Sequence, residues 1–175
     1  KGNLFVALIG EKFNPHELIE AGQANHAAAV LVEHQLQSKK AQIVVPNTHA
    51  ALYDLAGAWR SRFKIPTIGI TGSNGKTSVK ELIKQILGTQ GGVLATIGNL
   101  NNHIGVPLTL VGLNENHHFA VIEMGANHIG EIANLTQLVR PDVGVVTNIG
   151  PAHLEGFGSL EGVARAKAEL YRFLD

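Results

Sequence analysis

A glycine-rich turn between a strand-like segment and a helix-like segment constrains the fold of this chain more than any other feature. Residues 67–70 form a short apolar run typical of a strand, and residues 76–87 favour a helix. The turn is made of Thr71, Gly72, Ser73, Asn74, Gly75, Lys76, Thr77 and Ser78. Such a turn directs several backbone N–H groups and the positive end of a helix at one anion. We call residues 71–78 the phosphate loop, and its context predicts a nucleotide-binding α/β fold.

The residue types within the phosphate loop fit a nucleoside triphosphate. Gly72 and Gly75 allow the tight turn, Lys76 supplies a full positive charge for the outer phosphates, and the Thr77 hydroxyl can bind the accompanying Mg²⁺. The strict P-loop pattern would place its first glycine at position 70, which is Ile70, so the loop is a variant. The alternative is a glycine-rich turn with a solvated lysine. That alternative is disfavoured because five features occur together: the strand, the glycines, the lysine, the hydroxyl group and the helix.

Strand-like and helix-like segments alternate through residues 65–175. We predict strands at 93–96, 119–122 and 143–146, and helices at 129–139 and 159–173, with Gly88 capping the helix of the phosphate loop. The continuously apolar strands are typical of a parallel sheet buried on both faces. The alternation therefore predicts a mostly parallel, P-loop-type sheet with helices on both faces. No closing strand follows the last helix, so we expect this domain to be incomplete.

Residues 1–64 are predicted to form a separate, small α/β domain. Strands are expected at 4–9, 28–32 and 43–45, and helices at 16–26 and 48–62, with Asn47 capping the second helix. The seam between the two domains falls near residues 62–66. The start of this domain looks truncated, and we expect further residues before it.

The composition limits the classes of partner. The chain has 14 basic and 14 acidic residues, which argues against nucleic acid or a membrane surface as its main partner. It has no cysteine and no apolar run long enough to insert into a membrane. We therefore expect a cytoplasmic protein with a small-molecule site.

Two polar residues are predicted to lie beside the phosphate loop. In an open parallel sheet, ligands bind beyond the carboxyl ends of the strands. Glu123 follows one predicted strand directly, and His153 follows another after a short segment. A carboxylate and an imidazole beside a triphosphate are candidate Mg²⁺ ligands, although Mg²⁺ prefers oxygen. Taken singly, Glu123 could cap the helix near Gly130 and His153 could be an ordinary loop residue; together with the loop they favour a metal site.

The chain resembles the Mur ligases, whose relatives include folylpolyglutamate synthetase. The resemblance rests on residues 71–77, 98–110, 121–128 and 152–159, and on residues 4–8 and 10–14 of the first domain. It implies that Lys76 holds the outer phosphates and that Thr77, Glu123 and His153 bind Mg²⁺. The resemblance also implies contact of substrate with two asparagines and carbamylation of one lysine, which would bind a second Mg²⁺. These residues are Asn101, Asn102 and Lys167.

The resemblance also implies an activity. It points to the member that uses ATP and Mg²⁺ to join D-alanyl-D-alanine to UDP-N-acetylmuramoyl-tripeptide through an acyl phosphate, in the synthesis of the peptidoglycan precursor. We expect a monomer, we expect the family's C-terminal domain to be missing from these 175 residues, and we expect these residues alone to be inactive. Residues 47–49 depart from the family's usual Asp-Thr-Arg, and Ala168 replaces a common glycine. Three alternative functions stay open: a related ligase for another amino acid, a P-loop NTPase or phosphotransferase, and a non-catalytic nucleotide-binding module.

Overall fold

The computed structural model describes residues 2–24 and 26–174 of the chain. Two compact units are present, Lys1–Asp54 and Leu55–Asp175, and the second predicted helix crosses the boundary between them. Within the part of the chain that the structure describes, none of the helices has the length and apolar character that a bilayer crossing requires.

The first unit is a small three-stranded parallel sheet. Its strands are β1 (Asn3–Val6), β2 (Ala27–Val32) and β3 (Ala41–Val44), arranged in the order β1-β2-β3. Helix α1 (Pro15–Glu20) begins at Asn14, whose side chain accepts a hydrogen bond from the His16 N–H, with Pro15 at the first helical position. The apolar core comprises Ala7, Ile19, Ala24, Val30, Val32 and Leu36. The α/β class predicted for this segment is therefore confirmed.

Two elements in the first unit end earlier than predicted, and a third begins at its predicted residue. Strand β1 stops at Val6 rather than at residue 9, because Gly10 and Phe13 form a backbone bridge that turns the chain. Helix α1 ends at Glu20, followed by a turn in which Gly22 has a φ of 77°. Helix α2 (Thr48–Arg60) begins where predicted, and the Asn47 side chain accepts from the Ala50 N–H at 2.8 Å.

The second unit is built on a four-stranded parallel sheet. Its strands are β4 (Thr67–Thr71), β5 (Gly92–Ala95), β6 (His117–Glu123) and β7 (Val143–Val146), in the order β5-β6-β4-β7. Its helices are α3 (Lys76–Gly88), α4 (Gly105–Leu110), α5 (Glu131–Val139), α6 (Leu154–Phe157) and α7 (Leu160–Ala168), and a 3₁₀ helix covers Glu169–Phe173. Because all four strands are parallel, their carboxyl ends meet at one edge.

The two faces of this sheet are covered by different helices. Glu123 at the end of β6 contacts Thr77 of α3 on one face. On the other face, Gly144 of β7 lies against Leu170 of the 3₁₀ helix. The central strands are fully buried at Ile70, Ala120, Val121 and Ile122. The prediction of parallel strands with helices on both faces is confirmed. Burial on both faces holds for the central strands β4 and β6, whereas β7 is an edge strand whose Val143 is 52% exposed.

Several local predictions in the second unit were wrong. Gly88 is the last residue of α3, and the cap is Thr89 in a right-handed conformation, not a left-handed glycine. Helix α4 was not anticipated because it contains Pro107, yet proline is tolerated in a first turn, where its missing N–H has no helical partner. The last predicted helix divides into α7 and a 3₁₀ helix.

Candidate functional site

The phosphate loop adopts backbone angles that glycine favours. Gly72 has a φ of 144° and Gly75 a φ of 75°, and Gly75 stands at the start of α3. A Cβ atom at Gly72 would overlap the Thr147 hydroxyl, whereas the space around Gly75 is open. The loop therefore brings bare backbone to the N-terminus of a thirteen-residue helix, which suits an anion.

The segment that follows β7 holds the phosphate loop in shape. The Ser73 N–H donates to the Asn148 carbonyl at 3.1 Å, and the Ser73 hydroxyl lies 2.9 Å from both the carbonyl and the N–H of Gly150. The Thr147 hydroxyl donates to the Asn74 carbonyl at 2.6 Å, and the Asn148 side-chain oxygen accepts from the Asn74 N–H at 3.0 Å. Sequence reasoning missed Thr147 and Asn148; their position directly after an apolar strand was the available signal.

Lys76 lies over the loop from which it projects. Its Nζ donates to the Gly72 carbonyl at 2.9 Å and is 3.4 Å from the Ser73 carbonyl. These carbonyls keep the ammonium at the mouth of the loop, where a phosphate could replace them as its partner. Ser78 is exposed on the first turn of α3. Thr71 is fully buried, and its hydroxyl has no hydrogen-bond partner among the described residues.

Glu123 joins the end of β6 to the first turn of α3. One carboxylate oxygen accepts from the Thr77 hydroxyl at 2.9 Å, and the other accepts from the Asn101 side-chain amide at 2.8 Å. Its N–H donates to the Thr96 hydroxyl at 2.9 Å. The side chain is only 2% exposed. The parallel-sheet argument thus placed Glu123 beside Thr77 correctly, and it missed Thr96.

The surroundings of Glu123 fit a cation. Both of its side-chain partners are neutral, and no ion pair to it occurs within residues 2–24 and 26–174. A buried carboxylate without a neutralising charge is costly. One carboxylate and one hydroxyl match the few protein ligands that Mg²⁺ uses when most of its shell is water and phosphate. Thr77 and Glu123 therefore suit a metal ion that arrives with a nucleotide.

The two asparagines predicted to contact substrate have different surroundings. Asn101 faces Glu123, and Gly125 allows this close approach because a Cβ there would lie 2.8 Å from the Asn101 side-chain oxygen. The Asn102 side-chain oxygen accepts from the N–H groups of Ile104 and Gly105 at 3.1 and 2.8 Å, at the start of α4. A substrate contact of either residue stays a prediction.

His153 lies three residues after Gly150, which contacts Ser73 of the phosphate loop. It is exposed, has a positive φ of 51°, and its ring is 6.5 Å from the Phe157 ring in an edge-on arrangement. In the described part of the chain no hydrogen bond connects its ring to Glu123 or Thr77. Metal binding by His153 stays a prediction.

Lys167 is buried beside the loop. It is 2% exposed, and its Nζ lies 5.3 Å from the centre of the Phe157 ring. Burial lowers the pKa of Lys167 to about 8, assisted by the positive charge of Lys76 and opposed by Glu131 and Glu169. The low pKa gives Lys167 a larger neutral fraction than an exposed lysine has.

The carboxylate that caps α5 is Glu169 rather than Glu123. The two Glu169 oxygens accept from the N–H groups of Gly130 and Ala133 at 2.7 and 3.0 Å. The alternative in which Glu123 caps the helix near Gly130 was therefore wrong. Along α7, Glu161 and Arg165 form an exposed ion pair at 3.8 Å. The cap fixes α5 against the segment that carries Lys167.

Residues 70–175 match the family model described as the Mur ligase middle domain. This chain belongs to the Mur ligase family. The resemblance identified from the sequence motifs is confirmed at this level, and the matched residues include the whole phosphate loop together with Glu123, His153 and Lys167.

The Mur ligase chain is similar over nearly its whole length to proteins named UDP-N-acetylmuramoyl-tripeptide–D-alanyl-D-alanine ligase. The one from Escherichia coli is 48% identical over 170 residues, covering 97% of this chain and 38% of that protein. The one from Haemophilus influenzae is 49% identical over 177 residues, covering 98% of this chain and 39% of that protein. This Mur ligase chain thus spans less than half the length of the curated relatives it matches.

Solved structures agree with this Mur ligase assignment. MurF from Acinetobacter baumannii superposes with a TM-score of 0.93 at 42% identity, covering 98% of this chain and 38% of that one. The MurF ligase from Thermotoga maritima, solved in complex with ADP, superposes with a TM-score of 0.90 at 33% identity, covering 100% of this chain and 41% of that one.

Proposed function

We propose that the protein is an ATP-dependent ligase that joins D-alanyl-D-alanine to UDP-N-acetylmuramoyl-tripeptide, a cytoplasmic step in making the peptidoglycan precursor. One observation carries the proposal: the buried Glu123 carboxylate accepts a hydrogen bond from Thr77 at the mouth of the phosphate loop. The names of the relatives, and the ADP in a related structure, support the choice of substrates.

The residues of the site have separate tasks in this proposal. The backbone of residues 72–75 holds the β-phosphate, and Lys76 leaves the Gly72 carbonyl to bind the transferred phosphoryl group. Thr77, Glu123 and His153 would hold the nucleotide's Mg²⁺, and that ion would supply charge neutralisation between the two anionic reactants. Asn101 orients the Glu123 carboxylate through its amide.

The reaction has two steps. The terminal carboxylate of the UDP-linked tripeptide attacks the γ-phosphorus of ATP, and the bond to the β-phosphate oxygen breaks to release ADP. The amine of D-alanyl-D-alanine then attacks the acyl carbon, loses a proton and displaces inorganic phosphate. Lys76 stabilises the charge on the transferred phosphoryl group during the first step.

Lys167 is proposed to be carbamylated. Its neutral amine attacks CO₂, a nitrogen–carbon bond forms and one proton leaves, so the neutral amine becomes a carbamate anion. Counted from the ammonium form, two protons leave and a cation becomes an anion. The pKa of about 8, caused first by burial, favours this reaction at neutral pH. The carbamate anion would offer oxygen atoms to a second Mg²⁺.

An acceptor screen on the full-length protein tests the function. ADP release should require UDP-N-acetylmuramoyl-tripeptide and D-alanyl-D-alanine together, and Lys76→Ala should abolish it. ADP release without an amino acceptor would favour an NTPase instead. Release with a different amino acid would favour another ligase of this family. ATP binding without turnover under any combination would favour a non-catalytic module.

A further inference from the structure

Lys80 is a buried cation that the proposed chemistry does not use. It lies on α3 three residues after Thr77 and is 1% exposed. Its Nζ donates to the Thr96 carbonyl at 2.7 Å and forms an ion pair with Glu81 at 2.9 Å. Burying an ammonium group is costly unless it is paired and hydrogen-bonded. These two contacts compensate the charge, and one of them leads toward the candidate site.

Thr96 connects Lys80 to Glu123. It follows β5 directly and is 2% exposed. Its carbonyl accepts from Lys80, its N–H donates to the Val121 carbonyl at 3.2 Å, and its hydroxyl accepts from the Glu123 N–H at 2.9 Å. These three hydrogen bonds therefore fix the position of Thr96 relative to Glu123. In two of them the partner of Thr96 is a backbone group, and in the third it is the Lys80 side chain.

Helix α3 thus reaches Glu123 by two routes. The direct route is the hydrogen bond from Thr77 to the carboxylate, and the indirect route runs from Lys80 through Thr96 to the Glu123 N–H. Residues three apart lie on the same face of a helix, so both routes start from one face of α3. Together they fix both the backbone and the side chain of Glu123.

We propose that Lys80 is a positioning residue that holds Glu123, through Thr96, in the orientation needed to bind the nucleotide's Mg²⁺. The inference rests on the proposed function, because it takes Glu123 as a metal ligand. Glu81 already neutralises Lys80, so the effect is one of position rather than of charge at the phosphates.

Calorimetry on the full-length protein tests this role. The Kd of ADP is measured with excess Mg²⁺ and again with EDTA, and the ratio of the two reports how strongly the metal tightens nucleotide binding. In Lys80→Met this ratio should fall about tenfold, the size typical of losing a group that orients a metal ligand. The Kd in EDTA should stay at the wild-type value. Amide hydrogen exchange at Glu123 should also become faster.

Lys84→Met is the matched control. Lys84 lies on the same helix, is exposed, and pairs with the other oxygen of Glu81 at 3.6 Å, but it does not contact Thr96. Its ratio should equal that of the wild type. Thr96→Val removes the acceptor for the Glu123 N–H and should also lower the ratio, and adding Lys80→Met to Thr96→Val should lower it little further.

The outcomes separate this inference from the proposed function. If Mg²⁺ does not tighten ADP binding in the wild type, the proposed metal site fails. If it does and Lys80→Met keeps the wild-type ratio, the positioning role is refuted. A Kd in EDTA that weakens as much as the Kd in Mg²⁺ also refutes it, since Lys80 would then act on the nucleotide directly. If Lys80→Met does not fold, the same ratio of ADP Kd values is measured in Lys80→Gln, and its fall or retention decides the positioning role.

Discussion

The pKa of Lys167 offers the sharpest test of the site's electrostatics. Burial and Lys76 lower this pKa to about 8, against about 10.4 for an exposed lysine. At pH 7 roughly one Lys167 amine in ten is then neutral, compared with about one in 2,500 for an exposed lysine. The structure thus makes the form that attacks CO₂ roughly 200-fold more abundant.

Nearby charges should move this pKa in opposite directions. Lys76→Met removes a positive charge, so it should raise the pKa of Lys167 because the ammonium form loses a repulsive neighbour. Glu131→Gln removes a negative charge and should lower the pKa further. Each change in the pKa of Lys167 should be of the order of one unit, which is the usual spread of lysine pKa values among folded proteins.

Carbon-13 NMR of the lysine Cε atoms measures these pKa values directly. The full-length protein carries ¹³C-labelled lysine in CO₂-free buffer, and Lys167→Arg identifies the Lys167 signal by its loss. Labelled bicarbonate added afterwards should give a carbamate signal that the arginine variant lacks. A Lys167 midpoint near pH 10, or a midpoint that Lys76→Met does not raise, would show that the burial and charge argument is wrong.

Three further substitutions test other contacts. Glu169→Gln should lower the free energy of unfolding by about 1–3 kcal/mol, because a glutamine cannot accept with both atoms and leaves an N–H of α5 unpaired; thermal unfolding measures this. Gly72→Ala should abolish ADP binding in calorimetry, because its φ of 144° and the Thr147 hydroxyl exclude a side chain. Arg60→Met should destabilise the fold by about 2–4 kcal/mol in urea unfolding, because its buried guanidinium binds the Val139 carbonyl and the Thr67 hydroxyl.

Each of these changes has a matched control on the chain. Glu161→Gln alters an exposed pair at 3.8 Å and should cost less than about 0.5 kcal/mol. Gly88→Ala places a methyl group in open space within α3 and should leave ADP binding unchanged. Arg62→Met removes an exposed guanidinium stacked on Trp59 and should cost about 1 kcal/mol or less. A control variant that loses as much stability or ADP binding as the variant it is matched to would contradict the contact-based reasoning.

The sequence predicted those parts of the site that follow from strand direction. Val143–Val146 was predicted at its observed bounds, because a continuously apolar run bounded by polar residues has few alternatives. Glu123 was placed beside Thr77 because parallel strands end at a common edge. These inferences need only the order and polarity of the segments.

Contacts that depend on register and on side-chain direction were beyond sequence reasoning. Glu169 caps a helix that begins 39 residues earlier in the chain, a pairing that no local pattern encodes. The strand predicted to begin at residue 119 begins instead at His117, since the pairing of His117 with Gly92 decides where β6 starts. Lys80 looks like a surface lysine in the sequence, and only the packing of α3 on β5 and β6 buries it.

The bonds between Ser73 and Gly150 have a practical meaning for protein engineering. Residues 71–78 owe their shape to partners more than seventy positions away, at Thr147, Asn148 and Gly150. Transplanting the eight-residue turn into another α/β scaffold would leave those partners behind. A functional graft must therefore carry both pieces, and selection acting on either piece constrains which residues the other can accept.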